Sequence, residues 1–145
     1  MKYENSVYPN EEQIKGFLEP SPEGPIGMLN LLKFKPKAAY EDGRDSNLTG
    51  RQAYELYETE VQDLLREIGG YIGFVGTVER LAIGEVEDLW DLAVIAVWPS
   101  RQKMFEVMQT PRMQEIAVHR AAGLAGQLNI ETTALAGSWL QNVSI

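Results

Sequence analysis

The stretch WDLAVIAVW at positions 90–98 decides the fold, because it is typical of a β-strand that is apolar on both sides. Alternate residues of a strand point to opposite sides. One side carries Trp90, Leu92, Val94, Ala96 and Trp98, and the other carries Ala93, Ile95 and Val97. In a sheet that helices cover on one side only, the open side is normally polar. An apolar open side needs a cover, so we predict a homodimer whose two sheets pack against each other.

Turn and capping signals on either side of this stretch predict the other elements. The predicted strands cover residues 26–34, 71–81, 90–98 and 127–135. The predicted helices follow the capping residues Asn10, Thr49, Ser100 and Thr110. The last of these helices has Pro111 at its first position, and we expect Gly123 and Gly126 to end it.

This order of elements predicts a ferredoxin-like α+β sandwich with a four-stranded antiparallel sheet. We expect residues 1–25 to form a short N-terminal helix and a linker, residues 26–135 to form the α+β domain, and residues 136–145 to form a tail. The polar loop 35–48 is long enough to act as a lid or to contact a partner.

Composition and charge argue against several classes of function. A chain of 145 residues with a net charge of −8 fits one domain and offers no basic stripe for nucleic acid. No apolar run reaches the roughly 18 residues that span a bilayer, and the first residues lack the apolar stretch of a signal peptide. We therefore expect a cytoplasmic protein that does not bind membranes. There is no cysteine, which excludes disulfides, thiolate nucleophiles and thiolate metal ligands.

Arg120 is the strongest candidate for a ligand contact, because it falls on the predicted buried side of a helix. The apolar residues with helical spacing on that side are Met113, Ile116, Ala117 and Leu124. A guanidinium keeps its charge when it is buried, so it needs an acidic or polar partner. Glu60 on the facing helix is one candidate partner, and the carboxylate or phenolate of a ligand is the other.

Four further residues are predicted to line a pocket beside Arg120. Asn30 alternates with apolar residues on the helix-facing side of the first strand, where its amide either ties down the backbone or orients a ligand carbonyl. Tyr57 lies at the centre of the apolar side of its helix, where it either packs in the core or acts as a proton donor or acceptor. Tyr54 and Trp98 are predicted to complete the wall of a substrate-binding pocket.

His119 is the only histidine, and it is predicted at the border of the buried side of the last helix. It either lies at the surface or moves a proton in catalysis. A single histidine without nearby carboxylate spacing does not predict a zinc site. Axial ligation of a haem by His119 is an alternative that the sequence leaves open.

Three segments resemble the domain-of-unknown-function 1330 family. They are GPIGMLNLLKFKPKAAYEDG at 24–43, TGRQAYELYETEV at 49–61, and WDLAVIAVWPSRQKMFEVMQTPRMQEIAVHRAAGL at 90–124. The resemblance implies the dimeric α-β barrel superfamily, in which two sheets form a barrel with the helices outside. That superfamily includes cofactor-free monooxygenases, haem-degrading monooxygenases, polyketide cyclases and muconolactone isomerases. The family itself has no agreed activity.

Three hypotheses of function follow. In the first, the chain binds an acidic aromatic or polyketide-like compound, and it is either a cofactor-free monooxygenase, cyclase or isomerase or a binder of that compound. Arg120 would hold the acid, Asn30 would orient a carbonyl, and His119 or Tyr57 would move a proton. In the second, the chain binds or degrades haem through His119. In the third, it is a dimeric binding module without enzymatic activity, whose polar residues are structural.

Overall fold

A four-stranded sheet with three helices on one side makes up most of the molecule. The computed structural model describes residues 6–21 and 23–135. The elements in chain order are α1 (Glu11–Gly16), β1 (Ile26–Phe34), α2 (Gly50–Glu67), β2 (Tyr71–Thr77), β3 (Leu92–Trp98), α3 (Arg101–Met108), α4 (Pro111–Gly123) and β4 (Leu124–Thr132).

The strands are antiparallel throughout and follow the order β2-β3-β1-β4. The first and third strands therefore lie at the centre of the sheet, and the two helical connections return the chain to it. This arrangement confirms the predicted ferredoxin-like α+β fold, and the short N-terminal helix that precedes it is also present.

The helices begin where the capping residues predict. Asn10 and Thr49 each form a capping box with the glutamine three residues later. The hydroxyl groups of Ser100 and Thr110 accept hydrogen bonds from backbone N–H groups in the first turns of α3 and α4. These side chains satisfy N–H groups that have no partner within a helix, which explains the close agreement at the helix starts.

The sheet has one side in contact with the helices and one side without them. The helix-facing residues Met28, Ala96 and Trp98 belong to the main apolar cluster with α2, α3 and α4. The open side carries Leu29, Leu31, Ala93, Ile95, Leu128 and Ile130. None of these open-side residues belongs to the apolar clusters of the described part of the chain. The prediction that β3 is apolar on both sides is confirmed.

The junction between α4 and β4 differs from the prediction. The helix ends at Gly123, and the strand begins at Leu124, so Leu124 and Gly126 belong to the sheet and not to the helix. The backbone N–H of Lys35 donates to the carbonyl oxygen of Gly123 at 2.8 Å, which places the end of the helix directly beside β1. A Cβ atom at Gly123 would overlap the backbone oxygen of Gly50 in α2. Because glycine has no Cβ atom, the backbones of α2 and α4 approach each other closely here. The chain therefore passes from α4 to β4 without a connecting turn.

The second strand is shorter than predicted and contains a bulge. It ends at Thr77, whereas the sequence predicted a strand to residue 81, and the third strand begins at Leu92 instead of Trp90. The register shifts between Ile72 and Phe74, so Gly73 is the extra residue. A glycine inside a strand often marks such a bulge.

The loop 35–48 packs on α2 and α4 and does not lie over the helix-facing side of the sheet. Ala39 donates a backbone hydrogen bond to Ala122, and Ala38 is buried against Ala53. The segment before β1 instead crosses the edge of the sheet, with Ser6 paired to Gln127 in β4. The predicted tail at 136–145 lies outside the described residues.

Candidate functional site

The helix-facing side of the sheet and the surrounding helices line a cavity of about 760 Å³ that is partly open to solvent. Strands β1 and β3 form its floor, and α2, α3 and α4 form its walls. Residues of the N-terminal segment line its outer side. A cavity of this volume is typical of sites for small organic ligands. Its two ends differ in chemistry, because one surrounds Arg120 and the other is mainly apolar.

Arg120 extends from the last turn of α4 and is held by neutral acceptors. Its Nη1 atom donates to Oε1 of Gln127 at 2.6 Å, and its Nη2 atom donates to the backbone oxygen of Val7 at 2.8 Å. The guanidinium carbon lies 5.9 Å from the ring centre of Tyr8. Within the part of the chain that the structure describes, no carboxylate forms an ion pair with Arg120. The remaining N–H groups of the fork are left for another acceptor.

Asn30 supports this arginine through Gln127. The Gln127 amide nitrogen donates to Oδ1 of Asn30 at 2.7 Å, and the Asn30 amide nitrogen donates to the backbone oxygen of Met28 at 3.0 Å. Asn30 is only 9% exposed and still lines the cavity. The structural role considered from the sequence is observed, since the amide of Asn30 ties down backbone and fixes the side chain that orients Arg120. A contact between Asn30 and a ligand carbonyl stays a prediction.

Replacing Asn30 with alanine should destabilise the protein by about 1–2 kcal/mol, because the buried Asn30 amide forms two hydrogen bonds, to Gln127 and to the backbone oxygen of Met28, and both are lost. Urea unfolding of the unaltered protein and the variant measures this difference. Asn129 offers a matched control, since it lies beside Asn30 in the neighbouring strand but is exposed. If Asn30→Ala and Asn129→Ala unfold at the same urea concentration, the relay from Asn30 to Arg120 contributes nothing.

Two tyrosines of α2 stand beside the arginine. Burial raises the pKa of Tyr57 above its ordinary value, and the nearby charge of Arg120 opposes this rise. The pKa of Tyr54 is also raised by burial, with smaller contributions from Tyr57 and Glu58. Among residues 6–21 and 23–135, no hydrogen bond is formed by the hydroxyl of Tyr57, whose side chain lines the cavity. A protonated phenol without a partner is a ready hydrogen-bond donor to a ligand.

The end of the cavity away from Arg120 is apolar and rich in methionine. Trp98 belongs to this wall and is buried. The four described methionines all line the cavity, and they are Met28, Met104, Met108 and Met113. Met28, Met104 and Met113 belong to the main apolar cluster and Met108 packs against it, and all four also face the empty space.

A second arginine, Arg101, closes this apolar end with its charge neutralised. Its Nε atom donates to Oε1 of Glu131 at 2.7 Å, and its Nη2 atom donates to the other carboxylate oxygen. Its Nη1 atom donates to the backbone oxygens of Glu19 and Pro20 at 3.1 and 3.3 Å. Arg101 thus links α3, β4 and the N-terminal segment in one network.

His119 lies away from the cavity. Its Nδ1 atom is 2.7 Å from the hydroxyl oxygen of Tyr40, in the loop that packs on α4. It lines a separate shallow depression together with Glu60, the acid considered from the sequence as a partner for Arg120. Burial and the charge of Arg44 lower the pKa of His119. The structure brings together Asn30, Tyr54, Tyr57, Trp98 and Arg120, and it leaves His119 outside this group.

Gln127, Val7 and the pair of Arg101 and Glu131 were missed by the sequence interpretation. One signal was available for two of them, since Gln127, Asn129 and Glu131 alternate with apolar residues in β4 and face the helices. No sequence pattern identifies the carbonyl oxygen of Val7, because every residue has one.

Two further features of the described residues concern metal binding and membranes. Over the described ranges, no group of three or more histidine, cysteine or acidic side chains is arranged to hold a metal ion. In the same part of the chain, no helix is long and apolar enough to cross a membrane.

Comparison with known proteins supports the fold and leaves the activity open. No protein-family model and no curated protein matches the sequence. RPA0582, a protein of unknown function from Rhodopseudomonas palustris, has 31% sequence identity to this chain. Its crystal structure matches this one with a TM-score of 0.81. The match covers 91% of this chain and 98% of that one. This chain belongs to the family of RPA0582.

Another structure of the same family member, methylated RPA0582, is 32% identical over 92% of this chain and 98% of its own, with a TM-score of 0.82. A dimeric protein of unknown function with a ferredoxin-like fold, from Bacteroides fragilis, is 11% identical over 74% of this chain and 94% of its own, with a TM-score of 0.48. Because RPA0582 is described as a protein of unknown function, membership in its family supplies a fold and no activity.

Proposed function

We propose that this chain binds an acidic small molecule, of the aromatic or polyketide-like kind, in the cavity beside Arg120. One observation carries the proposal: the guanidinium lies at a largely apolar cavity with only neutral acceptors around it. The planar fork of arginine matches a carboxylate or a phenolate, and the resulting charge-assisted hydrogen bonds are stronger than those to neutral groups. A ligand anion would supply the opposite charge that the described residues do not.

The other residues of the site would then orient the bound acid. Gln127 is fixed by Asn30 and holds the guanidinium plane in place. Tyr57 would donate a hydrogen bond to a carbonyl or hydroxyl oxygen of the ligand. Tyr54 and Trp98 would contact its apolar body.

The hydroxyl of Tyr57, which has no hydrogen-bond partner among the described residues, favours catalysis over binding alone. Since burial raises its pKa, the hydroxyl stays protonated at neutral pH and suits the role of donor to a developing oxyanion. A cofactor-free isomerase, cyclase or monooxygenase would use it in that way. His119 does not reach this cavity, so proton transfer would depend on Tyr57, and a haem in this cavity would find no histidine ligand among the described residues. A binding module without catalysis would use the same contacts.

We expect the protein to bind 2-naphthoate about 10-fold more tightly than 2-naphthamide, a difference of roughly 1.4 kcal/mol. The two compounds share one ring system and differ in the charge of the head group, which isolates the contribution of Arg120. Isothermal titration calorimetry at neutral pH measures both constants. Equal affinities, or no binding of either compound, would contradict the proposed function.

We also propose that a second copy of the chain covers the open side of the sheet. Phe74 and Ile130, at its two edges, are 52% and 44% exposed, although both are large and apolar. A face that pairs with itself about a twofold axis would bury this surface without any new partner. The resemblance to the domain-of-unknown-function 1330 family, within the dimeric α-β barrel superfamily, implies the same arrangement. A cytoplasmic location stays a prediction.

A further inference from the structure

We infer that the ligand carries one negative charge only, at the end that Arg120 holds, and that its other end is uncharged and apolar. This inference rests on the proposed function and narrows its ligand class to amphipathic monoacids. It excludes dicarboxylates and other ligands with a second anion at the far end. The two arginines of the cavity differ in their partners, since Arg101 is paired with Glu131 and Arg120 forms no ion pair with a carboxylate of the described residues.

Arg101 is already paired within the protein, because its guanidinium donates four hydrogen bonds and Glu131 neutralises its charge. Both oxygens of Glu131 accept hydrogen bonds from its guanidinium, and the remaining terminal nitrogen donates to the backbone oxygens of Glu19 and Pro20. The pair is mostly buried, with side-chain exposures of 17% for the arginine and 26% for the glutamate. Separating such a pair leaves a charge without its partner, which is strongly unfavourable. A second ligand anion would therefore meet the carboxylate of Glu131 without any free cation.

The spacing of the sheet places these two arginines at opposite ends of the cavity. Gln127 and Glu131, their partners, are four residues apart on the same side of β4, which corresponds to about 13 Å. Along α4, Met113 precedes Arg120 by two turns, or about 10 Å. A bicyclic ligand held at Arg120 therefore extends along the floor of the cavity toward the methionines.

The methionines make this far end adaptable as well as apolar. Met28, Met104 and Met113 belong to one apolar cluster, Met108 packs against it, and all four face the same cavity. Thioether side chains are flexible and polarizable, so such a wall accepts ring systems and chains of different shapes. Thioether groups offer no donor to an anion, so a charged group placed among these methionines would lose hydration that they do not replace.

The test compares 2-naphthoate with naphthalene-2,6-dicarboxylate, which adds a second carboxylate at the opposite end of the same rings. We expect the full-length protein to bind the diacid about 10-fold more weakly or worse in calorimetric titration. In Met108→Lys, a half-buried position receives a cation, so the diacid should gain affinity relative to 2-naphthoate. In Met108→Gln, the matched neutral variant, the preference for the monoacid should remain.

The outcomes separate this inference from the function on which it rests. If 2-naphthoate binds better than 2-naphthamide but the diacid binds as well as the monoacid, the single-charge inference is wrong and the proposed function stands. If no carboxylate binds, both are wrong. Should Met108→Lys fail to fold, the affinities of the unaltered protein for 2-naphthoate and for the diacid still test the inference. Equal affinities for these two compounds would overturn it.

Discussion

The variant Arg120→Met should bind 2-naphthoate about 100-fold more weakly than the unaltered protein, a loss of roughly 2.8 kcal/mol. Methionine has a similar length and apolar body, so the substitution removes the charge and the fork with little change in volume. Its affinity for the neutral 2-naphthamide should hardly change, because that head group gains little from a cation. Calorimetric titration of both compounds with both proteins gives four affinities. Together they form a double-mutant-type cycle, which measures the interaction energy between Arg120 and the carboxylate.

A matched variant distinguishes the shape of the group from its charge. Arg120→Lys keeps the positive charge but cannot contact a carboxylate through two parallel N–H groups, so we expect an intermediate affinity for 2-naphthoate. Stability should change by about 1 kcal/mol or less in either variant, because Val7 and Gln127 can exchange their hydrogen bond for one to water in the cavity. If Arg120→Met instead unfolds the protein and leaves ligand affinity intact under stabilising conditions, the arginine is structural.

The polar residues of the site could be predicted from the sequence where a regular pattern was interrupted. Arg120 on an apolar helix face and Asn30 on an apolar strand face are such interruptions, and both line the cavity. His119 was misleading, since a border position on a helix does not determine which neighbour it meets. That neighbour is Tyr40, whose place depends on how a loop packs. Loop packing is a tertiary property that local spacing does not encode.

The fold could be predicted further than the site because helix caps and alternation are local signals. The capping boxes of Asn10 and Thr49 located two helix starts within a residue. The start of β4 was wrong because the contact between Gly50 and Gly123, which moves the chain directly from helix to strand, joins residues far apart in sequence. The role of the N-terminal segment was missed for the same reason, since its contacts with Arg120 and Arg101 depend on the completed sheet.

The variant Ile95→Glu should convert the proposed homodimer into a monomer, with a dimer dissociation constant raised about 1000-fold or more. Ile95 lies in a central strand on the open side of the sheet, between Leu29 of β1 and Phe74 of β2. In a twofold dimer each substitution occurs twice, so two carboxylates would be buried in one apolar interface. Sedimentation equilibrium at micromolar concentration measures the mass of both proteins.

A control substitution in the helical layer tests whether loss of the dimer is specific to the open side of the sheet. Val118 in α4 is exposed to a similar extent as the edge residues of the open side, but it projects from the helical layer. Val118→Glu should therefore remain dimeric. Since Ile95 is only partly buried in one protomer, the glutamate at position 95 can reach water in a monomer, and the protomer should stay folded by circular dichroism. A mass of one chain for the unaltered protein, or a dimeric Ile95→Glu variant, would show that the second copy does not cover this sheet.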